Sequence, residues 1–143
     1  MRENEVNIDF LSKSENEAFA RAAVAAFAAQ ADPTIEEIAD IKTAVSEAVT
    51  NSIVHGYADK RGIVYINCAL KDDLLTITVK DNGKGIKDVK QAMQPMFTTN
   101  PEQERSGMGF TVMETFMDEV KVESILGVGT KVTMEKTIGA DKL

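Results

Sequence analysis

The chain has 143 residues, 43% apolar and 27% charged, which suits one globular domain with its own core and excludes a disordered composition. The 16 basic and 23 acidic residues give a net charge of −7, without the basic excess that nucleic-acid binding needs. A single cysteine, Cys68, excludes an internal disulfide. No apolar run approaches the roughly 20 residues of a membrane span, and the first residues hold no signal-peptide core, so a cytoplasmic protein without membrane contact is expected.

Val6, Ile8 and Phe10 alternate with polar residues and predict a first strand. Ser14 to Glu17 has the form of a capping box and opens a helix, with Phe19, Ala22, Ala23, Ala26 and Phe27 on its expected core face. Asp32-Pro33-Thr34 separates it from a second helix, which carries Ile38, Ile41, Val45, Ala48 and Val49 at helical spacing. That helix is expected to end near His55-Gly56, with Gly56 in a left-handed position. Two strands, Ile63 to Leu70 and Leu74 to Val79, follow around the turn Lys71-Asp72-Asp73. Cys68 reads as a small buried strand residue rather than a reactive thiol.

Residues 98–108 carry little apolar periodicity and predict a mobile loop. Phe110, Met113, Phe116 and Met117 predict a third helix. Val120 and Val122, then Val132 and Met134, predict two last strands around a turn at Gly127 to Gly129, and residues 136–143 a frayed tail. The element order predicts a single α/β (α+β) domain over 1–143, a two-layer sandwich with helices on one face of a mixed sheet.

Four patches carry the chemistry. Glu47 and Asn51 lie four residues apart, on one helix face. Asn51 can offer a carboxamide oxygen to Mg²⁺, and Glu47 can take a proton from a nucleophile. Asp81, at the end of an apolar strand, can accept from the exocyclic amino group of adenine, with Gly83 and Gly85 permitting a sharp turn and close approach to a flat ring. Gly107 and Gly109 precede a helix, where free N–H groups suit phosphates, and Arg105 can add charge. Thr130 can hydrogen-bond near Asp81. Each patch alone also fits a plain structural role: a solvated pair, a hairpin turn, a hinge, a β-former.

The four patches resemble the N box and glycine boxes of the GHKL superfamily, which includes gyrase-type topoisomerases, heat-shock chaperones, histidine kinases and mismatch-repair ATPases. The resemblance implies a Bergerat ATP-binding sandwich. Ile41 to Tyr57, Pro95 to Thr99 and Glu104 to Phe110, together with Ser14 to Arg21, closely resemble the bacterial anti-sigma-F family of serine kinases, over about Val6 to Lys136. That resemblance implies a cytoplasmic homodimer that sequesters a sigma factor (sigma-F) when loaded with ATP and Mg²⁺. It also implies phosphorylation of a serine on an anti-anti-sigma protein. It makes Glu47 the base, Asn51 the metal ligand and Asp81 the adenine reader. Gly83, Gly85, Thr98, Thr99, Arg105, Ser106, Gly107, Met108, Gly109 and Thr130 complete the nucleotide site, with residues 98–108 as its lid. Arg21, on the helix side opposite the expected core face, is the expected partner contact, since an exposed guanidinium suits a partner carboxylate.

Two alternatives stay open: the homologous kinase of a general-stress switch, and a binding module that uses ATP only to shape a sequestering surface. A sensor histidine kinase needs a phosphoacceptor histidine on a dimerisation helix, whereas the one histidine, His55, ends the presumed nucleotide helix.

Overall fold

The structure is a computed structural model that describes residues 2–94 and 109–139. Five strands, β1 (Glu3–Leu11), β2 (Ile63–Lys71), β3 (Leu74–Asp81), β4 (Glu119–Ile125) and β5 (Gly129–Thr137), form one sheet in the order β1-β2-β3-β5-β4. Helices α1 (Glu15–Ala28), α2 (Ile35–Thr50), the short α3 (Val89–Ala92) and α4 (Gly109–Phe116) complete the domain. Alternate strand residues, such as Val64, Ile66, Cys68 and Leu70 on β2 and Leu75, Ile77 and Val79 on β3, are buried with the apolar face of α2. The opposite sheet face carries polar residues such as Thr76, Thr78 and Lys80, with the Lys80 ammonium 5.9 Å from the centroid of the Tyr65 ring. This is the expected two-layer arrangement.

The sheet is wholly antiparallel, not mixed. The helical crossover after β3 does return β4 parallel to β3, but β5 folds back between them and pairs with both. The parallel relation that the element order implies is therefore never a direct pairing.

Three further expectations are corrected. The buried face of α1 is Ala20, Val24, Phe27 and Ala28, while Ala22 and Ala26 are exposed. Phe19 is 55% exposed and meets the Phe10 ring edge-on, with centroids 6.5 Å apart. Ser14 makes no side-chain cap, because its own backbone is already helical (φ −56°, ψ −32°). Glu17 instead accepts from the Ser46 hydroxyl (3.0 Å) and pairs with Arg21 (3.5 Å), tying α1 to α2. The real capping box opens α2: Thr34 Oγ1 accepts from Glu37 N–H (3.0 Å) and Glu37 Oε1 from Thr34 N–H (2.8 Å).

The frayed tail does not begin at 136. Thr137 pairs with Leu74, Ile138 is 2% exposed, and Gly139 N–H donates to the buried Glu37 carboxylate (2.7 Å). The apolar Ile138 gives this end an anchor that solvated residues lack. Among the described residues no helix is long and apolar enough to cross a membrane.

Candidate functional site

The second helix does not stop at Thr50. It widens into a π-helical turn over Asn51–Gly56, closed by Tyr57 N–H donating to Ser52 C=O (2.9 Å). π-Turns inside α-helices are frequent at functional sites. Here Asn51, Ser52 and His55 all line a cavity of about 420 Å³, a size suited to a small-molecule ligand. Gly56 is not left-handed as expected; Ala58 takes that conformation (φ 52°). The reason for glycine at 56 is space: a Cβ there would lie 2.9 Å from the Asp81 carboxylate.

Asp81, 3% exposed, is the last residue of β3 and lines the same cavity. Its Oδ1 accepts from Gly83 N–H (2.9 Å), and its carboxylate also accepts from the Ser52 hydroxyl and the Thr130 N–H. Burial pushes its pKa above the ordinary 3.8, and these three donors pull it partly back. Ser52 and Asp81 are two of the three buried polar side chains on the described residues, so the fold spends its costly polar burial here.

The glycines after Asp81 approach protein backbone rather than leaving open space. A Cβ on Gly83 would sit 2.1 Å from Gly56 O, and one on Gly85 (φ 75°) 2.2 Å from Ile125 O. Lys84 N–H donates to Gly56 C=O (2.8 Å) and Lys84 C=O accepts from Gly127 N–H (2.6 Å). The turn is thus held between the π-helical turn and the β4–β5 hairpin. Thr130, opposite Asp81 in register, lines the cavity, and its hydroxyl lies 2.8 Å from Ser124 Oγ. Ser124 Oγ also accepts from Ile86 N–H (2.7 Å).

Gly109, also in the cavity lining, is the first residue of α4, which packs against α2. A Cβ on Gly109 would lie 3.2 Å from Asn51 Nδ2, 3.3 Å from Asn51 Oδ1 and 3.3 Å from Glu47 Oε2. The carboxylate, the carboxamide and the helix start therefore converge. The described residues hold no cluster of three or more His, Cys, Asp or Glu that would cage a metal. The Asn51 carboxamide oxygen fits Mg²⁺ instead, which takes few protein ligands and keeps phosphates and waters.

Six expected site residues, Thr98, Thr99, Arg105, Ser106, Gly107 and Met108, lie outside the described residues, as does the loop 98–108. Arg21 lies on α1, apart from the cavity lining, with its side chain 40% exposed. Sequence reasoning missed Ser52, Tyr57 and Ser124. Ser52 sits directly beside Asn51 and was within reach; Ser124 lies in an ordinary strand run, and only the pairing with β5 brings it to the site.

The histidine kinase-like ATPase domain matches residues 10–136. The anti-sigma F factor of Thermoanaerobacter sp. (strain X514) is 65% identical over 139 residues, covering 97% of each chain. That of Caldanaerobacter subterraneus subsp. tengcongensis is 64% identical over 139 residues, again 97% of each. Among solved structures, the blue-light activated histidine kinase of Erythrobacter litoralis EL346 superposes with a TM-score of 0.59 at 20% identity, over 85% of this chain and 41% of that one. This last likeness concerns the fold alone. By these matches the chain belongs to the histidine kinase-like ATPase domain family and, within it, to the anti-sigma F factors.

Proposed function

We propose that this chain binds ATP with Mg²⁺, holds a sigma factor (sigma-F) in that state, and phosphorylates a serine of an anti-anti-sigma protein, working as a homodimer in the cytoplasm. One observation carries the nucleotide assignment: a single cavity is lined by a buried acceptor, Asp81, together with Asn51 and Gly109, and Gly109 in turn lies against the Glu47 carboxylate. The partner assignment draws on the names of the relatives.

In this reading Asp81 accepts from the adenine amino group. Asn51 Oδ1 is the protein ligand of Mg²⁺, which neutralises phosphate charge when bound. The N–H groups at the start of α4 face the phosphates. Glu47 accepts the proton as the serine oxygen bonds to the terminal phosphorus and the bond to the ADP oxygen breaks. Most of the rate comes from this positioning, with the base adding about 10²–10⁴-fold. Arg21 would supply a charged contact to the partners.

The test is binding of purified sigma-F to the chain at matched ATP and ADP. Tighter retention with ATP supports the proposal; equal retention in both nucleotides, or none in either, overturns the ATP-dependent sequestering role.

A further inference from the structure

Resting on the nucleotide reading above, we propose that Tyr57 is a positioning residue that sets adenine recognition by fixing the turn from which Asp81 projects.

The Asp81 carboxylate is bound into its own turn, since its Oδ1 holds Gly83 N–H at 2.9 Å. Where the turn goes, the acceptor goes. Three successive N–H groups of this turn have partners. Gly83 uses Asp81; the other two are held by one short segment at the end of the π-helical turn. Asn82 N–H donates to the Tyr57 hydroxyl (2.8 Å), and Lys84 N–H donates to Gly56 C=O (2.8 Å). The Tyr57 hydroxyl in turn donates to Ile63 C=O at the start of β2. One phenol therefore joins the helix end, the first residue of β2 and the exit of β3.

The ring itself has little freedom. Tyr57 is 8% exposed, and a Cβ on Gly62 would fall 2.2 Å from the ring. Gly62 is held on both sides, its N–H donating to Ser12 Oγ (2.9 Å) and its C=O accepting from Ser12 N–H (2.9 Å). Asn82 is exposed, so water can replace the phenol at its N–H when the hydroxyl is lost. The turn then keeps its Lys84 bonds to Gly56 and Gly127 but loses the anchor at Asn82, next to Asp81, and a recognition group displaced by about half an ångström loses selectivity.

The experiment titrates ATP and inosine triphosphate, whose 6-oxo group replaces the amino group, into the parent, Tyr57→Phe and Val24→Ala. Val24 is buried in α1 away from the cavity lining and serves as a stability control. Tyr57→Phe is expected to weaken ATP about three- to tenfold, to leave inosine triphosphate unchanged, and so to narrow the preference by the same factor. Val24→Ala is expected to lower the melting temperature without changing either affinity. Parent-like ATP affinity in a folded Tyr57→Phe, or equal losses for both nucleotides, overturns the proposal. A parent that does not prefer ATP overturns the nucleotide reading, and the positioning role with it. If Tyr57→Phe does not fold, amide exchange in the parent decides: protection of Asn82 N–H that rises with ATP but not with inosine triphosphate supports the role, and unprotected exchange overturns it.

Discussion

Replacing Asp81 with asparagine separates the proposed recognition role from stability, because the two effects are expected to have opposite signs. An amino group that meets a carboxylate makes a charge-assisted hydrogen bond of about 1.5–3 kcal/mol. A carboxamide in its place loses the charge and can present a donor to a donor, so Asp81→Asn should weaken ATP by about ten- to a hundredfold. Stability without nucleotide runs the other way. The Asp81 pKa is raised, burial being the largest cause, so its protonated form is the one the fold favours. Its stabilising contribution is complete below the ordinary 3.8 and is lost as pH rises through the folded value. Above its folded pKa the parent carries a buried carboxylate that the asparagine variant does not. Without nucleotide, Asp81→Asn should therefore melt at or above the parent temperature at pH 7, and this advantage should shrink toward pH 4. Calorimetric titration with ATP and melting curves from pH 4 to 8 check both arms. Parent-like ATP affinity would remove Asp81 from base recognition. A melting temperature several degrees lower at pH 7 would show that the carboxylate is held mainly by its hydrogen bonds.

Gly83→Ala, whose Cβ would sit 2.1 Å from Gly56 O, should cost about 1–3 kcal/mol and abolish ATP binding, as melting and titration would show. Gly127→Ala, with open space but φ 83°, should cost about 1–2 kcal/mol of backbone strain and keep ATP affinity; loss of ATP binding there would contradict the assigned turn. Arg21→Ala removes a half-buried i,i+4 pair with Glu17, so folding and ATP binding should persist within about 0.5 kcal/mol while sigma-F or anti-anti-sigma binding weakens; unchanged retention of both in a pull-down would place docking elsewhere. Cys68, 1% exposed and with its thiol pushed up to about 12 by burial, should resist a disulfide reagent at pH 8 until the domain unfolds; rapid labelling of the native chain would contradict its burial.

The strands and α2 were legible because runs rich in β-branched residues mark the strands and apolar residues recur at helical spacing in α2. The face of α1 was not, because alanine occupies every side of Glu15–Ala28 and gives the periodicity no contrast. At the site, Glu47, Asn51 and Asp81 could be read from spacing, since helix geometry and a strand end place them locally. The reason for each glycine could not. Gly56 and Gly83 make room for groups about 25 residues away in sequence, and the π-helical turn that brings them together has no distinctive local pattern in Asn-Ser-Ile-Val-His-Gly. Ser124 and Tyr57 were hidden for the same reason: tertiary pairing chooses their partners.

Transfer of labelled terminal phosphate from ATP to purified anti-anti-sigma protein, by the parent and by Glu47→Gln, tests the central claim most directly. The account predicts acid-stable label on a serine of the partner with the parent chain. It predicts a rate lower by about 10²–10⁴-fold with Glu47→Gln, at unchanged ATP affinity. No transfer by a parent chain that binds ATP, or a near-parent rate with Glu47→Gln, would contradict it.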